Sequence, residues 1–129
     1  MIGQLLDGRY ELTQFMAEGG MGAIYKARQH ALDRDVVVKL LLAKVRALDE
    51  FQQRFFLEAS LCARLSHPNI VRIFDYGCHG AATYFIVMEH LQGMTLKQCL
   101  RQSVHLQPKR AVGMVIQICS ALVEAHDAG

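Results

Sequence analysis

The sequence predicts an α+β fold: a five-stranded antiparallel sheet with one helix after its third strand, followed by helices only. Three observations support this fold class. Apolar and polar residues alternate near the N-terminus as they do in half-buried strands. A helical period appears at residues 47–66, and no strand pattern follows residue 90. We therefore expect a sheet-containing domain at residues 1–90, a connector at 91–94 and a helical domain at 95–129.

The first three strands form two consecutive hairpins. Residues 9–16 alternate apolar and polar side chains, and a glycine-containing turn at 18–22 leads into a second strand at 23–28. A polar connection at 29–35 leads into the third strand, residues 36–41, which is β-branched and apolar apart from one lysine. Two hairpins in a row favour an antiparallel sheet.

The helix at residues 47–66 separates the third strand from the last two. Pro68 ends it, because proline disfavours helix in the residue before it. Residues 70–76 and 83–89 have the pattern of strands and are joined by a turn at 77–80. This pair completes the five strands.

The remaining chain is helical. Residues 95–101 form a short helix, and Pro108 opens a longer one because proline suits the first helical position. Gly129 is the expected C-terminal cap of that helix.

The composition excludes several classes of protein. The chain has 129 residues, 52% of them hydrophobic and 20% charged, as in ordinary globular domains. The net charge of +2 comes without a basic stripe, so no nucleic-acid partner is expected. The first residues lack a signal-peptide pattern, and the longest apolar stretch, residues 111–123, is too short to span a membrane. We expect no membrane segment here.

The four cysteines are scattered and show no CxxC pair; they are Cys62, Cys78, Cys99 and Cys119. That spacing argues against a metal site and favours packing residues with reduced thiols, as found in the cytoplasm. We predict no metal ligands and a cytoplasmic location.

The glycine-rich turn is the first candidate binding element. Gly19, Gly20 and Gly22 lack a Cβ, so their backbone N–H groups could approach a phosphate closely. An ordinary hairpin turn is an equally good interpretation of the glycines alone. A dinucleotide-binding fold would need a helix at the last glycine, and residues 23–27 are strand-like instead.

Lys39 is the second candidate. It interrupts an otherwise apolar strand and shares a face with Val37 and Leu41 by alternation. An edge lysine that reaches solvent is the alternative interpretation.

Glu58 is the proposed partner of Lys39. At helical spacing it lies within a stripe of otherwise apolar residues, namely Phe51, Phe55, Cys62 and Leu65. A carboxylate buried alone is costly, so a lysine from a neighbouring strand is the expected partner. Alternatively, Glu58 lies at the margin of the stripe and is solvated.

Five segments together resemble a known family. Gly19-x-x-Gly22-x-Ile24, Val36-Val37-Val38-Lys39, Leu57-Glu58-Ala59, His67-Pro68-Asn69-Ile70-Val71 and Phe85-Ile86-Val87-Met88-Glu89 follow one another in the order and spacing of protein kinases. From Arg9 onward the chain resembles the N-lobe and first C-lobe helices of bacterial, eukaryotic-like (Hanks-type) Ser/Thr kinases. An unrelated α+β domain with a chance match is the remaining alternative.

The resemblance implies ATP as the ligand, with Mg²⁺. Backbone around Gly19, Gly20 and Gly22 would cover the phosphates, and Lys39 would hold the α- and β-phosphates, positioned by Glu58.

The resemblance also implies an adenine site. Met88 would be the gatekeeper, while the Glu89 carbonyl and the Leu91 N–H would bind the base. The side chains lining the slot would be Met16, Ile24, Val37 and Leu96.

Two residues of the implied site depart from the family pattern. Ala17 stands where the first loop glycine is expected, and its Cβ disfavours positive φ. Val37 stands where alanine usually contacts adenine, and its two extra methyl groups could crowd the base.

The implied catalytic machinery is incomplete. Neither His-Arg-Asp nor Asp-Phe-Gly occurs in these 129 residues, so the Mg²⁺ ligands and the catalytic loop are absent from them. We expect a kinase by family whose 129-residue chain is catalytically incompetent alone, with ATP as its partner and a protein as substrate of the whole kinase. A pseudokinase or kinase-derived scaffold is the alternative.

An apolar stripe on the last helix suggests one further partner. It consists of Ala111, Met114, Val115, Ile118, Leu122 and Ala125. Bare apolar faces of this kind favour association, so self-association is expected.

Overall fold

The computed structural model describes residues 1–19, 22–42, 48–80, 83–102 and 105–128. It contains an antiparallel sheet of six strands in the order β1-β2-β3-β4-β6-β5, so the α+β prediction is confirmed. The strands are β1 (Leu5–Leu6), β2 (Tyr10–Gly19), β3 (Gly22–Gln29), β4 (Arg34–Leu42), β5 (Ile73–His79) and β6 (Thr83–Glu89). The helices are α1 (Leu48–Arg64), α2 (Leu96–Gln102) and α3 (Pro108–Asp127), with a 3-10 turn at His30–Leu32.

The prediction of five strands was wrong, because the sheet contains a sixth, short strand, β1. Its two residues pair with the start of β2, Leu5 opposite Glu11 and Leu6 opposite Tyr10. Leu6 is fully buried, with 0% of its surface exposed. Two residues are too few to show alternation, so no pattern along the chain indicates β1.

The two faces of the sheet have different roles. One face carries the hydrophobic core, which consists of Leu6, Tyr10, Leu12, Ala23, Tyr25, Ala27, Val36, Val38, Leu40, Phe85 and Val87. Side chains of β4 alternate between the faces, so Val37 and Lys39 lie opposite this core. Successive side chains of β4 therefore contribute in turn to the core and to the candidate site, which lie on opposite faces of the sheet.

Helix α1 packs on the same face as Lys39. The Phe56 ring centroid lies 5.9 Å from those of Tyr76 in β5 and Tyr84 in β6. Tyr84 stands opposite Leu41, which shares the Lys39 face. Ala59 is buried, whereas Cys62 is exposed, so the prediction that Cys62 lies on the inward stripe was wrong.

Strand β5 runs later along the chain than predicted. It includes Gly77, where the sequence suggested a turn. A Cβ on Gly77 would lie 3.0 Å from the Phe85 ring, so glycine serves here to admit an aromatic ring within the sheet. The turn itself follows at Gly80, which has φ +63°.

The chain forms two compact units. The first comprises Met1–Arg64 and Val71–His90, and the second comprises Leu65–Ile70 and the residues from Leu91 onward. The predicted domains at 1–90 and 95–129, with the connector at 91–94, stay a prediction; this division assigns residues 65–70 and 91–94 to the second unit.

Within the second unit, the His-Pro-Asn segment is attached to α3. His67 Nε2 and Ser120 Oγ share a hydrogen bond of 2.9 Å. The side-chain amide of Asn69 donates from Nδ2 to Gln117 Oε1 at 3.0 Å. Gly129, the predicted cap of α3, lies outside the described residues. None of the helices in the described ranges combines the length and hydrophobicity needed to cross a membrane.

The predicted apolar stripe of α3 is partly exposed. Val115, Ile118 and Leu122 each leave about half of their surface uncovered. Self-association through this face stays a prediction.

Candidate nucleotide-binding site

The glycine-rich hairpin joins β2 to β3, and Gly22 is fixed by its surroundings. Gly22 has φ +134°, and a Cβ placed on it would lie 1.9 Å from the Leu40 carbonyl oxygen. Only glycine allows β3 to approach β4 so closely. Gly19, at the other side of the turn, faces open space, because a Cβ added there would have no heavy atom within 4 Å. Gly20 lies outside the described residues.

Ala17 is accommodated without backbone strain. It pairs with Ile24 in the β2–β3 ladder. Positive φ among the described non-glycine residues is confined to Asp7 and Asp33. The departure from the glycine pattern at this position therefore imposes no left-handed conformation on alanine.

The register brings four of the predicted site residues to one face of the sheet. Lys39 stands between Ile24 of β3 and Ile86 of β6. Two residues earlier in β4, Val37 stands between Lys26 and Met88. Directly opposed residues of an antiparallel ladder share a face. Ile24, Val37, Lys39 and Met88 therefore form a contiguous surface next to the Gly22 end of the hairpin.

Burial gives this surface its chemical character. Val37 is 8% exposed, and Ile24, Lys39 and Met88 are half-buried. An apolar floor beside a half-buried ammonium suits a ligand with a flat apolar part and an anionic part.

The Lys39–Glu58 contact stays a prediction. The backbone of Glu58 belongs to α1, which packs on the Lys39 face, but its side chain lies outside those that the structure describes.

A second lysine on this face was not predicted from the sequence. Lys26 Nζ lies 2.8 Å from Asp35 Oδ2. Hydrogen bonds from Lys26 and Arg28 hold the pKa of the Asp35 carboxyl below its usual range. Lys26 is thus already paired, which leaves Lys39 as the better candidate for an external anion.

Other predicted residues lie at less defined positions. Met16 falls at a register shift in β2 and is exposed. Leu91 and Leu96 belong to the second unit, and both are exposed. Their contribution to an adenine slot stays a prediction.

The end of β6 is tied to the segment before β5. The Glu89 N–H donates to the Arg72 carbonyl at 3.0 Å. The Arg72 N–H donates in return to Glu89 Oε1 at 2.9 Å. Arg72 was missed from the sequence because it contributes backbone atoms, which leave no residue-type signal.

A polar network links the start of β2 to β5. The Tyr10 hydroxyl donates to Asp75 Oδ2 at 2.7 Å, and Arg9 lies 2.7 Å from the same oxygen. Burial, together with the hydrogen bond to Asp75, raises the pKa of Tyr10 to about 12.

Comparison with known proteins places the chain in a family. The sequence-family model of the protein kinase domain matches residues 10–129. The chain belongs to the protein kinase family. This kinase sequence is 40% identical over 126 residues to the serine/threonine-protein kinase PrkC of Bacillus subtilis, covering 98% of the chain and 19% of PrkC.

Two further proteins agree. A probable serine/threonine-protein kinase of Clostridium perfringens is 41% identical over 129 residues, covering all of this chain and 19% of that protein. The crystal structure of the Mycobacterium tuberculosis PknI kinase domain matches with a TM-score of 0.86 at 27% identity, covering all of this chain and 51% of that one.

These matches confirm the resemblance to bacterial Ser/Thr kinases and the kinase-like fold. The kinase chain described here spans about a fifth of the length of the first curated relatives, 19% in each case.

Proposed function

We propose that this chain is the ATP-binding portion of a serine/threonine protein kinase that transfers the γ-phosphate of ATP to protein hydroxyls. One observation carries the proposal: the register gathers Ile24, Val37, Lys39 and Met88 on one sheet face beside the glycine-rich hairpin.

Each part of ATP has a complementary part of this surface. The adenine would lie against the apolar floor that includes Ile24, Val37 and Met88, as membership of the kinase family implies. The Glu89 carbonyl and the Leu91 N–H would bind its edge, with Met16 at the rim. The phosphates would lie under the backbone of Gly19, Gly20 and Gly22, next to Lys39.

Lys39 would act by charge. Its ammonium compensates the negative α- and β-phosphates, and partial burial strengthens that attraction relative to water. Glu58 would orient the ammonium, which is the role its position on α1 would allow.

We further propose that the Mg²⁺ accompanying ATP is not held by side chains of the described residues. The described part of the chain contains no group of three carboxylate, histidine or cysteine side chains able to hold a metal. The sequence also lacks Asp-Phe-Gly and His-Arg-Asp. We propose that these 129 residues bind nucleotide without transferring phosphate and act within a cytoplasmic kinase, where ATP is available.

One observation favours the alternative, a pseudokinase or scaffold without nucleotide. Val37 lies between Lys26 and Met88 with 8% of its surface exposed, and a base placed against it would meet two methyl groups that alanine lacks. Binding of ATP decides between the two functions.

The test is a titration of Mg-ATP by calorimetry against three proteins: wild type, Lys39→Met and Lys26→Met. Loss of a charge-assisted contact should weaken binding about 10- to 150-fold in Lys39→Met. Lys26→Met removes a lysine from the same face that is already paired with Asp35, so its affinity should change less than about 3-fold. Equal losses in both variants would contradict the assignment of Lys39, and no binding by wild type would support the scaffold.

A further inference from the structure

The reciprocal tie between Glu89 and Arg72 departs from regular sheet pairing. In a regular antiparallel ladder, two opposed residues that exchange one N–H···O bond exchange the second as well. Here Ile73 is opposite Met88, so Arg72 and Glu89 are the next opposed residues. The first bond is regular, because the Glu89 N–H donates to the Arg72 carbonyl at 3.0 Å.

The second bond is not regular. The Arg72 N–H donates to the Glu89 carboxylate Oε1 at 2.9 Å, in the place where ladder geometry would supply the Glu89 carbonyl. The side chain thus substitutes for the main-chain acceptor of its own residue. A backbone N–H needs one good acceptor, and the carboxylate is a stronger one than a peptide carbonyl.

We infer that Glu89 is a positioning residue: its carboxylate occupies the Arg72 N–H and so keeps the Glu89 carbonyl available to accept a hydrogen bond from the 6-amino group of adenine. This rests on the proposed function, which assigns that carbonyl to the base. The inference thus gives the Glu89 carboxylate a role, although it is the backbone carbonyl of this residue that would bind adenine.

Two geometric facts make the side chain suited to this task. The Glu89 backbone is held from both sides, by the Arg72 carbonyl and by pairing with fully buried Val36. The carboxylate therefore reaches Arg72 from a fixed origin. Without it, the freed N–H would complete the regular ladder pair by donating to the carbonyl of Glu89.

The experiment measures discrimination between ATP and purine riboside triphosphate, which lacks only the 6-amino group. Calorimetric titrations of the whole 129-residue chain give the ratio of the two dissociation constants. One hydrogen bond at the 6-position predicts that wild type favours ATP about 3- to 10-fold. In Glu89→Ala the ratio should fall below about 2-fold, because the carbonyl becomes occupied.

Three variants separate this role from general damage. Glu89→Gln keeps an Oε1 acceptor and should keep the wild-type ratio. Arg72→Ala keeps the backbone N–H and should keep it too. Glu11→Ala removes a carboxylate of β2, three strands away from β6 in the sheet and 2.7 Å from His30 Nε2, and should also leave the ratio unchanged.

A fourth variant protects the test if Glu89→Ala does not fold. Glu89→Asp retains charge but is shorter by one methylene, about 1.5 Å, so it cannot span the distance to Arg72 within hydrogen-bond range. It should lose the preference for ATP as Glu89→Ala does.

The outcomes are distinct. A wild-type preference that persists in Glu89→Ala or Glu89→Asp overturns the inference and leaves ATP binding intact, as does a loss in Glu89→Gln. Equal binding of both nucleotides by wild type also overturns it. Failure of wild type to bind either nucleotide overturns the proposed function and this inference together.

Discussion

Replacing Gly22 with alanine should destabilise the sheet at the point where the glycine-rich hairpin meets β4. The added Cβ would lie 1.9 Å from the Leu40 carbonyl oxygen and 3.0 Å from its carbon. Both atoms belong to the main chain, so no side-chain rotation relieves the contact. Gly22 also has φ +134°, which a residue with a Cβ rarely adopts.

The size of the destabilisation follows from the close contact with Leu40 and from the unfavourable φ. Real Cβ atoms essentially never approach a heavy atom within 3.0 Å, so the strands must separate by at least 1.1 Å, the difference between 3.0 and 1.9 Å. Such a shift disrupts one or two ladder hydrogen bonds, each worth about 1 kcal/mol net. The unfavourable φ adds about 1–3 kcal/mol. The free energy of unfolding should therefore fall by about 2–5 kcal/mol.

Gly19→Ala is the matched control within the same turn. A Cβ on Gly19 meets nothing within 4 Å, and its φ lies outside the positive range. Alanine there should change stability by less than about 0.5 kcal/mol, or raise it slightly by restricting the unfolded chain.

Urea denaturation followed by far-UV circular dichroism compares the variants with wild type. The midpoint should shift strongly for Gly22→Ala, with an unchanged slope, and hardly at all for Gly19→Ala. Equal midpoints for the two alanine variants would refute the claim that close approach to Leu40 fixes this glycine.

Two further predictions concern ligand affinity and alkaline stability. Val37→Ala should tighten ATP binding about 5- to 150-fold if the two methyl groups crowd the base, as measured by titration; equal or weaker binding would contradict crowding. Tyr10 holds its proton up to a pKa of about 12 in the folded chain against 10.0 in the unfolded one, so only the folded state is protonated between these values. Stability should therefore be intact below pH 10 and fall by about 2–3 kcal/mol as the pH rises to 12. Tyr10→Phe should cost about 1 kcal/mol at pH 7 through loss of the bond to Asp75, and its unfolding free energy should decline less steeply above pH 10. Parallel pH profiles for the two proteins would show that Tyr10 does not carry this dependence.

Most of the fold could be predicted because the strands that build it are long and strictly patterned. Thr83–Glu89 has the predicted bounds, since its apolar run ends at a charged residue. The misses occurred where glycine or brevity hides the pattern. Gly77 suggested a turn, yet its missing Cβ makes room for the Phe85 ring in the middle of the sheet. Strand β1 has only two residues.

The site could be predicted in part, for a related reason. Strict alternation along β4 places Val37 and Lys39 on one face, and a sequence shows alternation directly. The cross-strand neighbours of Val37 and Lys39 depend on the register between strands, and the pattern of a single strand does not reveal that register. The tie from Arg72 to Glu89 uses a backbone donor, and the pairing of Lys26 with Asp35 depends on the β3–β4 hairpin geometry.

The alternation of β4 also makes binding and stability separable. Val36, Val38 and Leu40 are fully buried in the core, whereas Val37 and Lys39 face the opposite side. A slip of one residue in register would exchange the two sets, burying the Lys39 ammonium in the core, so the core itself enforces the position of the site. It follows that Lys39→Met removes the charge that would bind phosphate without removing a core contact. A weakened affinity in that variant then reflects loss of the ammonium, with its contacts to the ligand and to the proposed partner Glu58, and not loss of core packing.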